Sequence, residues 1–159
     1  MLLLLALLPA ALAASRDAPR VAPHAMVVAG VGIPNLLHGH AEIFLSNTAS
    51  VELGGGWGLL PWTLTAGARW SPTATCWGCW EGHGLRLSPG ITATVFPGMA
   101  PEGLVTLNLD LAWVWRSPGG VGATAGVRAG AGPALGSING RLKVEPGIEL
   151  VPLQAGIIF

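Results

Sequence analysis

Charge is what this chain has least of. Lys and Arg number 8, Asp and Glu 8, and together they make up 10% of 159 residues, where about a quarter is usual for a soluble protein. The two signs cancel, so neither a nucleic-acid footprint nor a polybasic membrane patch is expected. Tyrosine is absent. Long apolar runs are missing too: past the first thirteen residues, no segment offers the roughly 18 uninterrupted apolar positions that mark a transmembrane helix. What is abundant is apolar side chain, at 51%, together with 24 glycines and 13 prolines. A disordered chain would be polar and charge-rich, so this composition argues for a folded one, and the length suits a single domain.

Met1–Ala13 reads MLLLLALLPAALA, an apolar core of signal-peptide length ending in the small-x-small step Ala11-Leu12-Ala13. The run is too short to span roughly 30 Å of hydrocarbon as a helix. Residues 1–13 are expected to be a cleaved signal peptide, 14–23 a short N-terminal segment, and 24–159 the folded domain.

Beyond residue 20 helical spacing is hard to find and alternation is everywhere. In Leu104–Arg116, Val105, Leu107, Leu109, Leu111, Trp113 and Trp115 share one face. Thr106, Asn108, Asp110 and Arg116 share the other with Ala112 and Val114. Period two means a strand with an apolar and a polar face. Pro61–Trp70, Val121–Gly132, Val51–Leu59 and Leu85–Val95 repeat the pattern, as do the residues around Ala41–Leu45. Residues 24–33 are apolar on both faces, and the tail Val151, Leu153, Ala155, Ile157, Phe159 alternates to the last residue. Asn47–Ser50 and Ser117–Gly120 read as short turns, and Pro97–Gly103 and Gly136–Pro146 as longer loops. About eight strands result, with no room for a helical layer.

Two closed architectures fit. A soluble barrel points its apolar face inward; a membrane barrel points it outward. A soluble barrel needs a wide charged exterior, which so few charges cannot supply. The polar face is instead built of Gly, Thr and Ser with single charges, which suits a crowded lumen. Inside it, Glu42, Glu52 and Asp110 would meet Arg69, Arg86, Arg116 and Arg128. Eight strands enclose just enough room for side chains, so these groups are expected to pair and fill the interior. Trp62 and Trp70 lie on one face of one strand, roughly 20 Å apart along a tilted barrel axis, close to the spacing of the two aromatic girdles of a membrane barrel. Trp57, Trp113 and Trp115 stand near other strand ends. The expected fold is all-β, an eight-stranded antiparallel transmembrane β-barrel.

At this point the chain resembles a family. Its ending, Val151-x-Leu153-x-Ala155-x-Ile157-x-Phe159, is similar to the C-terminal signature of Gram-negative outer-membrane barrels, and the length is similar to that of the small eight-stranded barrels of the OmpA/OmpX kind. The resemblance implies a bacterial outer-membrane location and contact with outer-membrane lipid. It also implies that Leu153, Ile157 and Phe159 act as a signal for the barrel-assembly machinery during biogenesis. Without tyrosine, the girdles would rest on Trp and Phe.

Other chemistry is sparse. Cys76-Trp77-Gly78-Cys79 lies in an expected loop, Ser71–Gly84, and two cysteines this close in an oxidising compartment are expected to form a local disulfide. No helix N-terminus is expected there to activate a thiolate, and zinc would need four ligands where only His83 is near. His38, His40 and Glu42 share one face of a strand, and read as lumen or rim polar groups. No cofactor, metal centre or catalytic site is expected. Two alternatives stay open: a lipid-A-modifying enzyme on the same barrel, and a secreted lipocalin-like binder.

Overall fold

The structure, a computed structural model, describes residues 24–46, 48–58, 62–71, 76–77, 82–97, 103–117, 121–139 and 141–159. The expected signal peptide and the segment 14–23 lie outside them. All regular elements among the described residues are strands: β1 (Ala25–Ile33), β2 (Leu37–Phe44), β3 (Ala49–Trp57), β4 (Thr63–Trp70), β5 (Cys76–Trp77), β6 (His83–Val95), β7 (Gly103–Arg116), β8 (Gly122–Ile138) and β9 (Arg141–Ile158). Each long strand pairs antiparallel with the next along the chain. Pairing of β4 with β6, and of β1 with β9, closes the sheet into a barrel of eight strands. The two-residue β5 runs beside the overhanging start of β6.

The alternation read from the sequence sets the faces. Along β7, Leu107, Leu109, Leu111, Trp113 and Trp115 point out, while Thr106, Asn108, Asp110, Ala112 and Val114 are buried. On β4, Leu64 and Trp70 point out and Thr63 and Arg69 in. The barrel is therefore apolar outside and polar inside, the transmembrane arrangement. β1, apolar on both faces, is a strand none the less: Met26 and Val28 join Val114 and Ile158 in an inner apolar cluster, with Phe44 against it. A second inner cluster, Phe96, Leu104 and Ala134, lies toward the opposite end.

The two ends differ. One carries the start of β1, the β2–β3 turn, the stretch between β4 and β6, and Phe159. The other carries the β1–β2 turn and the tip of the β8–β9 hairpin. The long stretch after Trp70 thus opens at the end that holds the C-terminus. At the β2–β3 turn the Ser46 hydroxyl accepts from the N–H groups of Thr48 and Ala49, and strand structure resumes at Ala49, earlier than a turn over 47–50 implies. His83 and Gly84 likewise belong to β6 rather than to a loop.

Two expectations need larger correction. Residues 136–146 are not a loop. β8 and β9 stay in register through Pro133↔Pro146, Leu135↔Val144 and Ser137↔Leu142 to Ile138↔Arg141. The two-residue connection is Asn139-Gly140, and Asn139 has φ 52°, the left-handed geometry that tight hairpin turns require and that Asn tolerates. The prolines mislead because each can sit in a ladder wherever no N–H is needed. The second correction concerns Val151. It is buried, whereas Leu153 is exposed, because the register shifts between Arg128↔Val151 and Gly126↔Gln154, and between Ile33↔Leu150 and Val31↔Leu153. The extra residue in β9 is a bulge at Pro152, which cannot donate to a ladder. It reverses which parity faces out.

Candidate functional site

The chemistry-bearing residues converge at mid-height inside the barrel. Even-numbered positions of β2, β3 and β7 and of the second half of β9, and odd ones of the Arg69 end of β4, point to the axis. Glu52 on β3 is the hub. It accepts from Arg69 Nε at 2.7 Å, from Arg128 at 3.0 and 3.1 Å, and from the Thr92 hydroxyl at 2.9 Å. Asp110 lies 3.7 Å from Arg69 and 3.4 Å from Arg128, and accepts from the Gln154 amide at 2.8 Å. Asn108 accepts from Arg69 at 3.1 Å and donates to Thr92 and Glu149. Glu149 also takes the Thr106 hydroxyl and lies 3.5 Å from Arg128. His40 is 3.2 Å from Arg128. The layer ties β2, β3, β4, β6, β7, β8 and β9 together across the axis.

A second pair sits nearer the C-terminal end. Arg86 binds Glu42 through both terminal nitrogens. Its Nε donates to Ser71, which is bonded to Ser88. Ser50 donates to the same carboxylate, and the guanidinium lies 5.2 Å from the Phe44 ring centre. Below it the Met26 cluster is apolar. Glu42 and Glu52 are essentially inaccessible to solvent, and Arg69, Arg86 and Arg128 nearly so. Charges this deep are tolerated only when paired and hydrogen-bonded, and here each meets an opposite charge.

Toward the hairpin end a cavity of about 30 Å³ is lined by Asn35, His38, His40, Arg128, Glu149 and Val151, among others. The His38 and His40 rings stack with centres 6.2 Å apart. That volume is enough for a water or two.

Of the expected inner charges, the structure brings together Glu52, Arg69, Asp110 and Arg128, sets Arg86 with Glu42, and leaves Arg116 apart. Its parity is right, but it is the last residue of β7 and stands half-buried at the rim. Glu149, Gln154 and Asn108 join the site without having been expected there as site residues. For Glu149 the signal is present in the sequence: Lys143, Glu145, Gly147 and Glu149 alternate with Leu142, Val144, Pro146 and Ile148. Trp57, Trp62, Trp70, Trp113 and Trp115 all point away from the axis and are exposed. Trp57 and Trp62 lie toward the hairpin end; Trp70, Trp113 and Trp115 lie toward the end holding Phe159. Leu153, Ile157 and Phe159 line the outer face of β9. Cys79 lies outside the described residues, and of Cys76 only the backbone is described, opposite Arg86.

No protein-family model matches the chain, and no curated protein matches it. Among solved structures it is similar to the N-terminal β-barrel domain of Pseudomonas aeruginosa OprF. The likeness covers 86% of this chain and 98% of that one, at 11% identity and a TM-score of 0.48. The barrel described above stands on its own closed ladder of strand pairs.

Proposed function

We propose that the chain is a bacterial outer-membrane barrel of structural or surface-interaction type, its interior closed by its own side chains and without a catalytic role. One observation carries this reading: among the described residues, an uncharged outer wall surrounds a buried layer in which Glu52 holds both Arg69 and Arg128. A wall of that kind has favourable contact with lipid and none with water. An ion-paired layer spanning the axis, with apolar clusters on either side of it, leaves no continuous path for solutes. The tryptophans then serve as girdles at the two interfaces. Leu153, Ile157 and Phe159 serve as the assembly signal, which puts the end holding Phe159 in the periplasm and the hairpin outside. Cys76 and Cys79 pair in a periplasmic connection.

Reconstitution tests the reading. The protein should fractionate with outer membranes and need detergent for extraction. In a planar bilayer it should give no sustained conductance. Large, stable single-channel steps from the unaltered protein, or release into the soluble fraction without detergent, would overturn it.

A further inference from the structure

β9 outruns its neighbour. Its ladder to β1 ends at Ile33↔Leu150, yet it continues to Arg141, paired on its other side with β8. Among the described residues, Arg141–Glu149 has no ladder partner on the β1 side. At roughly 3.3 Å per residue and a tilt near 40°, this edge rises roughly 20 Å past the β1–β2 turn. Residues 141–146 are exposed on both faces. A bare strand edge of this length is a template for another strand, and proteins that have no use for one normally cover or shorten it.

The edge has a defined set of hydrogen-bonding groups. Side-chain face and amide direction alternate together along a strand. Phe159, which faces out, donates its N–H to Ala25 of β1 at 2.9 Å, so outward residues of β9 direct their N–H and C=O toward β1. Leu150, outward and opposite Ile33, carries that rule across the bulge. Leu142 and Val144, both outward, therefore offer N–H and C=O to the open edge, and Pro146 offers its C=O.

The side chains are self-complementary. Pairing this edge antiparallel with a second copy about Val144 sets Val144 against Val144 and Leu142 against Pro146 on one face. On the other it sets Lys143 against Glu145 twice. Lys143 is the only lysine in the chain. Within one copy Lys143 and Glu145 already meet, half in solvent, where such a pair contributes little; across the dimer each gains an opposite charge directly across the strands. Val144 exchanges two hydrogen bonds with its copy, and each Leu142 N–H donates to the other Pro146 carbonyl. Proline at 146 supplies the carbonyl that Leu142 needs but no N–H in return, so each Leu142 carbonyl is left to solvent and the central Val144 pair carries the ladder.

Symmetry decides how the barrels are arranged. The two-fold axis of an antiparallel strand pair is perpendicular to the sheet. Here the sheet continues the barrel wall, so the axis lies in the membrane plane and the two barrels point in opposite directions. We propose that the β8–β9 hairpin is a homotypic contact between copies in two facing membranes, joined edge to edge through Arg141–Gly147. The proposal rests on the outer-membrane reading, with the hairpin end outward.

Charge reversal tests it. The unaltered protein, K143E and E145K are each reconstituted into phosphatidylcholine vesicles, and clustering is followed by light scattering. Folded insertion is read by the gel mobility of the unboiled barrel, and hairpin orientation by trypsin cleavage after Arg141. Vesicles of the unaltered protein should cluster, raising the apparent radius several-fold. K143E and E145K vesicles should each stay dispersed, since every cross-strand pair becomes like-charged. Mixed together they should cluster, since the two carboxylates of one variant then face the two ammonium groups of the other. Adding Val144→Pro to either partner keeps the charges and removes the central N–H, and should abolish that rescue. Dispersed vesicles of the inserted, trypsin-accessible unaltered protein would overturn the proposal. So would clustering of K143E alone, failure of the mixture, or a rescue that survives Val144→Pro. Failure to insert would instead sink the outer-membrane reading, and this inference with it.

Discussion

Removing the Glu52 carboxylate should be among the most damaging single changes to this barrel. The side chain accepts four hydrogen bonds from two guanidiniums and one from Thr92, all of them buried. Breaking a buried ion pair by taking one partner costs about 3–5 kcal/mol, because the other charge stays buried. Glu52→Gln keeps the shape and an oxygen for Thr92. It leaves Arg69 and Arg128 facing Asp110, at 3.7 and 3.4 Å, and leaves Arg128 beside Glu149 at 3.5 Å. Two cations then share two carboxylates, so the layer, which held three carboxylates against two guanidiniums, becomes neutral and the loss falls at the lower end, about 3 kcal/mol. Urea unfolding in lipid vesicles, followed by tryptophan fluorescence, measures it. The matched control is Lys143→Ala, which breaks an exposed pair and should change stability by less than about 1 kcal/mol. A Glu52→Gln loss no larger than that of the control would refute the view that the buried layer holds the barrel together.

Leu109→Arg places a cation on the outward face of β7, and should destabilise by about 2–4 kcal/mol if that position is near the bilayer midplane; a neutral result in liposome unfolding would contradict the assigned faces. A Cβ at Gly132 would lie 1.9 Å from the Val105 carbonyl oxygen, so Gly132→Ala must push β8 from β7 and should cost about 1–3 kcal/mol, read in the same assay. Single-Trp variants retaining Trp70 or Trp57 should be quenched most by lipids brominated near the headgroup, and least by lipids brominated at the chain ends. Deleting Phe159 should leave export intact and slow insertion, so that unassembled protein accumulates in the periplasm; normal assembly kinetics would mean that the C-terminal pattern is not read.

The faces of the barrel were legible because period two survives any error in strand ends. Trp62, Leu64, Arg69 and Trp70 keep their assigned sides although β4 starts two residues later than Pro61. Low total charge carried the inside-out orientation, since a fixed number of charges cannot serve both a water-facing wall and an ionic interior. What resisted reading was where the parity changes. Val151 belongs to an unbroken alternation on paper, and only its neighbours on β1 and β8 reveal the added residue at Pro152. The hairpin was hidden by its composition: Gly136, Asn139, Pro146 and Gly147 are all residues that loops favour. Asn139-Gly140 between alternating residues is nevertheless a strong hairpin signal. Without the hairpin, Glu149 has no place on the inner face and the layer is one carboxylate short.

Buried ion pairs are an expensive way to fill a barrel, since apolar side chains of equal volume are often as stabilising or more so. A different consideration favours them here. Where lipid demands an apolar exterior, an apolar interior would make both faces of every strand alike, and a one-residue slip would then exchange equals for equals. Glu52, Arg69, Asp110 and Arg128 break that degeneracy: any slip in β3, β4, β7 or β8 would turn a charge into lipid. β1 is the exception, with Met26 and Val28 inside and Val27 and Val31 outside. It carries no polar residue to set its register in the Ala25–Ile33 span. It is held from both sides instead, by β2, with Glu42 bound to Arg86, and by β9, with Gln154 bound to Asp110. Among the described residues, buried charge thus sits where a slip of register would expose it to lipid.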